Sequence, residues 1–123
     1  MRRLLTLLVI LSLTACTSIN RPNPYTGAAA DIATTAAVLN NGGVELNPLG
    51  FWGTTILKGA YLAGLRPYIP EKERAEGDRI TASLWLGAAA NNLTVLLLTV
   101  PTPVSLAIGL AVGISVYNPA SDD

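Results

Sequence analysis

Residues 80–100 read ITASLWLGAAANNLTVLLLTV, and this stretch decides the fold class. Its strongly polar side chains are Asn91 and Asn92, and the stretch is as long as the roughly 20 apolar residues that a bilayer-spanning helix needs. Residues 92–100 are also rich in Leu, Val and Thr, as strands are, but polar and apolar residues do not alternate there. The stretch therefore predicts a long apolar helix.

Two apolar segments precede this helix. Residues 26–40 are rich in alanine and end in the turn signal Asn-Asn-Gly-Gly at 40–43. Residues 48–65 follow, with Asn47 as the expected cap and Pro48 as the expected first helical residue, where its missing N–H costs nothing. Both segments are predicted to be helices.

Prolines mark the limits of the remaining helices. The long helix is expected to begin near Pro70, with Glu71 and Glu73 in its first turn, where carboxylates complement the helix dipole. A last apolar segment, 103–117, follows a Pro-Thr-Pro sequence in which Thr102 is the expected cap. The chain thus divides into three or four helices.

The overall composition favours a membrane environment. The chain has 123 residues, enough for one domain, and half of them are hydrophobic while 13% are charged. Soluble domains carry about a quarter charged residues. Aromatic residues lie toward the segment ends, as at membrane interfaces: Tyr25, Phe51, Trp52, Tyr68, Trp85 and Tyr117. We expect an all-α fold, a small membrane-associated bundle of three to four helices that follows a cleaved signal peptide.

The N-terminus has the parts of a secretory signal. Met1-Arg2-Arg3 supplies positive charge, and residues 4–13 form an apolar run too short to span a bilayer. Leu13-Thr14-Ala15-Cys16 resembles the lipobox of bacterial lipoproteins. The resemblance implies cleavage before Cys16 and a covalent diacylglycerol and acyl chain on its sulfur and new terminus; no other cofactor is expected. Several chains on one cysteine would make a stable membrane anchor.

The predicted domain organisation follows from these signals. Residues 1–15 are the lipoprotein signal peptide, 16–25 a lipidated tether, 26–118 the helical membrane bundle, and 119–123 a polar tail. The predicted location is the bacterial cell envelope. Thr17, which is not the aspartate of the inner-membrane retention signal, favours the outer membrane. Embedded helices favour the inner membrane more strongly, because a spanning protein is not easily carried across the periplasm.

The topology is open at this stage. If Cys16 lies outside and all four segments span, residues 66–79 also lie outside with four basic residues, against the positive-inside tendency. If residues 26–40 lie on the surface or pack against the bundle without spanning, that loop becomes cytoplasmic. We favour three spanning segments.

A few polar residues interrupt the apolar segments and form the candidate site. An unpaired lysine in a bilayer is costly, so Lys58 needs a partner, and Asp31 is the natural one. Asn91 or Asn92 would complete the hydrogen bonds. If the first segment does not lie beside the second, Glu45 becomes the partner or Lys58 extends to the interface. The cluster is expected to be a structural clasp; an ion or proton path is the functional alternative.

The same residues carry a second resemblance. The chain is similar to a family of small integral membrane proteins without assigned function in the short motifs Asp31-x-x-Thr34-Thr35, Glu45-x-Asn47-Pro48, Lys58 and Asn91 or Asn92. The resemblance covers about residues 28–98 and implies a helical membrane bundle with these polar residues inside. A lipobox ahead of the first helix departs from the family pattern.

Several function classes are disfavoured. Basic and acidic residues balance at eight each, so no positive excess is present to hold nucleic acid. The lack of histidine and the single cysteine exclude most metal sites and the usual Cys-His or Ser-His-Asp nucleophiles. We expect no catalytic residues, no metal site and no enzyme activity.

Small residues recur at four-residue spacing, which in lipid lets helix backbones approach closely. The predicted helix-packing residues are Gly59, Ser105, Gly109 and Gly113. The leading hypothesis is therefore a lipid-anchored envelope protein with a structural or interaction role, whose partners are membrane lipid and a homo-oligomer or larger envelope assembly. The alternatives are a small transport or membrane-perturbing accessory that uses Asp31 and Lys58, and a soluble periplasmic helical domain tethered by lipid.

Overall fold

The computed structural model describes residues 23–98 and 100–117. The elements are α1 (Pro24–Asn40), α2 (Gly50–Gly59), α3 (Glu71–Leu98) and α4 (Thr102–Val116). A π-helical segment, Ala60–Leu65, and a 3-10 turn, Arg66–Tyr68, extend α2. Every regular element in the described residues is helical, so the predicted all-α bundle is confirmed. The predicted signal peptide, Cys16 and the polar tail lie outside the described residues.

Helix α3 is the centre of the bundle, and α1 and α4 pack along it. Helix α1 runs parallel to α3, because Gly27 lies against Ala82 near one end and Asp31 lies beside Asn92 farther along. Helix α4 runs antiparallel to α3. Helix α2 runs antiparallel to α1 and packs more loosely than the others. The chain therefore forms an up-down-up-down bundle.

Helices α3 and α4 approach closely because the contact consists of small residues. A Cβ added at Gly87 would lie 2.7 Å from the carbonyl oxygen of Gly109, and one added at Gly109 would lie 2.6 Å from the oxygen of Gly87. Gly113 packs beside the same point, and Ser105 is fully buried. Gly59 differs from the prediction: it is exposed, and a Cβ there would meet nothing within 4 Å.

One end of the bundle, the charged end, brings together the start of α1, residues 66–79 and Tyr117. The Arg66 guanidinium donates two hydrogen bonds of 2.7 Å to the Asp78 carboxylate and one of 3.4 Å to the Tyr25 hydroxyl. The hydrogen bonds to Asp78 raise the pKa of Arg66, so the pair stays charged. The Tyr117 hydroxyl donates a 2.6 Å hydrogen bond to Glu76. These bonds tie all four helices together at this end.

The observed helix starts differ from four of the sequence expectations. Helix α1 begins at Pro24, inside the predicted tether, because the Asn23 side chain accepts from the Tyr25 amide and caps it. Asn47 does not cap α2: its side chain accepts from the amide of Leu49, in the turn before the helix.

Helix α2 starts at Gly50, after a turn rather than at Pro48. Gly50 has a φ of +66°, a conformation that glycine adopts without strain. Helix α4 includes Thr102 as its first residue, and the preceding Pro101 offers no side-chain cap. Thr102 contributes its carbonyl oxygen, which accepts a hydrogen bond from the Ser105 hydroxyl. Its own hydroxyl was the expected cap.

The distribution of side chains is inverted relative to a soluble bundle. The buried hydrophobic residues are three alanines, Ala28, Ala82 and Ala89, while several polar residues are buried with them: Asp31, Thr34, Lys58, Ser83, Thr94 and Ser105. Large apolar residues point outward: Trp52, Ile56, Leu57, Leu84, Leu98, Leu106, Leu110 and Ile114 are all more than half exposed. Within the described residues, α3 alone is long and apolar enough to cross a membrane, with a mean hydropathy of 1.4.

Candidate functional site

A buried ion pair joins α1 and α2. The Lys58 ammonium lies 2.7 Å from an Asp31 carboxylate oxygen, and each side chain is 10% exposed. The ammonium also lies 6.0 Å from the centre of the Trp85 ring on α3, within range of a cation–π attraction. Three helices thus surround one buried positive charge.

Asn92 of α3 extends this pair into a network. Its amide nitrogen donates to the Thr35 hydroxyl at 2.8 Å and to the Asp31 carboxylate at 3.3 Å. It also lies 3.3 Å from the Thr34 hydroxyl, which itself donates to the backbone of α1. The Thr35 hydroxyl lies 3.4 Å from Asp31, one helical turn earlier. The spacing of three and four residues on α1 places all three acceptors on one face.

Asn91 does not join the network, although it precedes Asn92. Adjacent residues of an α-helix point about 100° apart. Asn91 instead faces α4, where its Cβ would lie 2.9 Å from a Cβ added at Gly109. Its carboxamide oxygen is buried without a hydrogen-bond partner in the described part of the chain. The candidate cluster is therefore Asp31, Lys58 and Asn92, with the two threonines of α1.

A small polar pocket of about 140 Å³ opens beside this cluster. The predicted residues in its lining are Asp31, Thr35, Glu45, Asn47, Lys58 and Asn92, and Thr54 and Ala88 complete it. The short motifs quoted above thus meet at one place. Glu45, considered as an alternative partner of Lys58, faces the pocket while its carboxylate accepts from the Asn47 amide at 3.0 Å. We call this space the polar pocket.

Thr54 is the polar lining residue that the sequence analysis did not predict. Its hydroxyl donates to the carbonyl oxygens of Gly50 and Phe51, each at 3.0 Å. A threonine bonded to its own helix gives no distinctive sequence signal. The neighbouring Thr55 has the same kind of bond, to Phe51 at 2.8 Å, but does not line the pocket.

The chemistry of the pocket is that of oxygen ligands and one ammonium. No cluster of three or more His, Cys, Asp and Glu side chains suited to a metal occurs within residues 23–98 and 100–117. The arrangement holds three helices in register and can bind a small polar ligand or ion. It does not present a nucleophile beside a base of the familiar triad type.

A second, apolar groove runs along the contact of α3 and α4. It has a volume of about 460 Å³ and is floored by Gly87, Gly109 and Gly113, with Leu84, Leu106 and Leu110 among its walls. The groove results from the close approach of the two helices. Small residues form its floor, and the larger leucine side chains on either side project past them and form its walls.

Comparison with known protein families, curated proteins and solved structures finds no match for this chain. The two resemblances drawn from short motifs stay predictions.

Proposed function

We propose that this chain is a lipid-anchored protein of the bacterial cell envelope, whose helical module is embedded in the membrane and has a structural or interaction role rather than an enzymatic one. The observation that carries the proposal is the inverted side-chain distribution. Alanine, glycine, serine and a buried ion pair fill the interior, and leucine, isoleucine and tryptophan cover the outside.

The energetics of this surface favour lipid. Removing one Leu or Ile side chain from water is worth about 1.5–3 kcal/mol, and soluble monomers rarely expose apolar patches larger than a few hundred Å². In a bilayer the same side chains meet acyl chains at no such cost. Helix contacts made by small residues with polar side chains between helices are the usual arrangement in membranes.

Carbonate extraction tests the embedded module separately from the anchor. A Cys16→Ser variant, secreted through a replaced signal peptide, is expected to stay in the membrane pellet after alkaline carbonate treatment. Recovery of this variant in the supernatant as a folded, monodisperse protein would leave the third hypothesis, the soluble tethered domain, in its place.

Palmitate labelling tests the anchor. Label is expected on the wild-type chain and not on Cys16→Ser, and separation of the two membranes is expected to place the labelled protein in the inner one. A purified chain that retains Met1 and an unmodified Cys16 thiol would exclude lipidation.

The polar pocket is the observation that favours the alternative, a transport or membrane-perturbing accessory. The variants Asp31→Asn and Lys58→Ala distinguish the structural role from the transport role. If the cluster is a structural clasp, both variants lower stability and abundance, and any transport signal falls only in proportion to the folded protein. A loss of ion flux at unchanged abundance would support the transport alternative instead.

A further inference from the structure

We propose that the polar pocket binds one small monovalent cation, held between Glu45 and the Asp31–Lys58 pair. This inference goes beyond the structural role proposed above and does not depend on the lipid anchor. It follows from the charges, the ligand types and the size of the pocket.

The charges that face the polar pocket do not balance. Its lining contains two carboxylates, Asp31 and Glu45, and one ammonium, Lys58. Asp31 and Lys58 neutralise each other at 2.7 Å, which leaves Glu45 as the excess negative charge. Glu45 is half-buried, and its carboxylate accepts a hydrogen bond from a neutral backbone amide. A charge shielded from water favours a counter-ion.

The available ligands are oxygens. Carboxylates of Asp31 and Glu45, hydroxyls of Thr35 and Thr54, and the carboxamide of Asn47 line the space. Asn92 also lines it but presents its amide nitrogen, which donates to Asp31 and Thr35. The Thr54 hydroxyl donates its proton to the backbone, so its lone pairs are free to accept a cation. Oxygen ligands of this kind bind hard ions and not the softer transition metals.

The charge excess selects a monovalent ion. Divalent Ca²⁺ takes six to eight oxygen ligands, usually with several carboxylates, and Mg²⁺ is held by carboxylates in a near-octahedral shell. One excess negative charge balances one Na⁺, K⁺ or Li⁺. The volume of about 140 Å³ exceeds what one bare ion fills, so the ion would keep part of its hydration shell, and those waters would meet the remaining Lys58 donors.

The chain contains its own reporter for this site. Trp85 lies 6.0 Å from the Lys58 ammonium, whereas Trp52 is exposed on the far side of α2. In a Trp52→Phe background, Trp85 fluorescence of the full chain in detergent micelles is followed while NaCl, KCl or LiCl replaces choline chloride at constant ionic strength. We expect a saturable change in fluorescence, with a parallel rise in the thermal unfolding midpoint.

Matched variants locate the ion. Glu45→Gln is expected to raise the half-saturating salt concentration at least tenfold, and Thr54→Val a few-fold. Thr55→Val removes a hydroxyl with the same backbone bond outside the pocket, and Glu76→Gln removes a carboxylate at the charged end; both are expected to stay within twofold of the parent. Thr54→Val keeps the helix surface nearly unchanged, so its comparison with Thr55→Val stands even if Glu45→Gln folds poorly.

Three results would overturn the proposal. These are no saturable response to any of the three salts, an equal response when choline chloride alone is raised, or equal effects of Thr54→Val and Thr55→Val.

Discussion

Asp31 and Lys58 stabilise each other because both charged side chains are largely removed from water. Removing one member of a buried ion pair leaves the other charge uncompensated, which costs about 3–5 kcal/mol. Replacing both members with neutral side chains of similar size is often close to neutral. Asn92 adds to this dependence, since its amide is oriented by the Asp31 carboxylate.

Lys58→Met is therefore expected to destabilise the folded chain by about 3–5 kcal/mol, because Asp31 loses its counter-charge. Adding Asp31→Asn to this variant is expected to restore most of the loss. The free energy of unfolding is measured by denaturant titration of the chain in micelles. Lys72→Met, an exposed lysine at the charged end, is the control and should change stability by less than about 0.5 kcal/mol. Additive losses in the double variant would contradict the pairing energetics.

Part of this cluster was predictable from the sequence. The spacing of Asp31 and Thr35 and the cost of an unpaired Lys58 were enough to expect a shared site. The sequence could not show which of Asn91 and Asn92 joins the cluster, because the two are neighbours in one helix. Only the packing of α1 and α4 against different faces of α3 distinguishes them.

At the scale of elements, the α3–α4 contact depends on two glycines. Gly109→Ala is expected to destabilise the chain by about 1–3 kcal/mol, because its Cβ would press on the Gly87 backbone and force the helices apart. Gly59→Ala introduces the same methyl group into open space and is expected to be neutral or stabilising by up to about 1 kcal/mol, through helix propensity. Unfolding titrations of the two variants make the comparison. Equal losses in both would show that helix propensity, not contact, sets the effect.

The hydrogen bond from Tyr117 to Glu76 links the end of α4 to the start of α3. Its acceptor, the Glu76 carboxylate, raises the pKa of Tyr117 above the ordinary value of 10.0. The folded-state pKa is raised, so the contribution of this bond is present below pH 10 and is lost as the pH rises through the raised value. The ultraviolet titration difference between wild type and Tyr117→Phe is expected to have a midpoint above 10. Glu76→Gln should lower that midpoint; an unchanged midpoint would mean that the bond does not form.

The helices themselves were predictable, but their starts were less so. Proline and glycine punctuation and the long apolar run located α1, α3 and α4 closely. The start of α2 shifted because Asn47 satisfies a turn amide rather than a helix amide, and that choice depends on a glycine in the left-handed region at Gly50. The wide turn at Ala60–Leu65 gave no sequence signal at all.

At the scale of the whole molecule, the four helices place three chain segments at one end. The start of α1, the connection around Tyr68 and the end of α4 lie at the charged end, while residues 41–49 lie at the other. Helix α1 packs along α3, not across the surface, and its 17 residues span about 25 Å, close to the thickness of a hydrocarbon core. From this arrangement we predict four crossings, in place of the three segments favoured from the basic residues of 66–79, with α3 the described helix that is long and apolar enough by itself.

Cysteine labelling tests this arrangement. With Cys16 acylated outside, Tyr68→Cys is expected to react with a membrane-impermeant maleimide in intact spheroplasts. Val44→Cys is expected to react only after lysis, because both positions are exposed but lie at opposite ends of the bundle. The wild-type chain controls for labelling of Cys16. Reaction of Val44→Cys and protection of Tyr68→Cys would restore the three-crossing topology.

The π-helical segment Ala60–Leu65 sets the angular relation between the two ion pairs of α2. In a regular α-helix, Lys58 and Arg66, eight residues apart, would point about 80° apart. A wider turn advances through a smaller angle per residue, so the two cations can face α1 and α3 together. Deleting one residue from this segment would keep the Lys58–Asp31 pair but rotate Arg66 away from Asp78. The π-helical segment is thus a rotational spacer between Lys58 and Arg66.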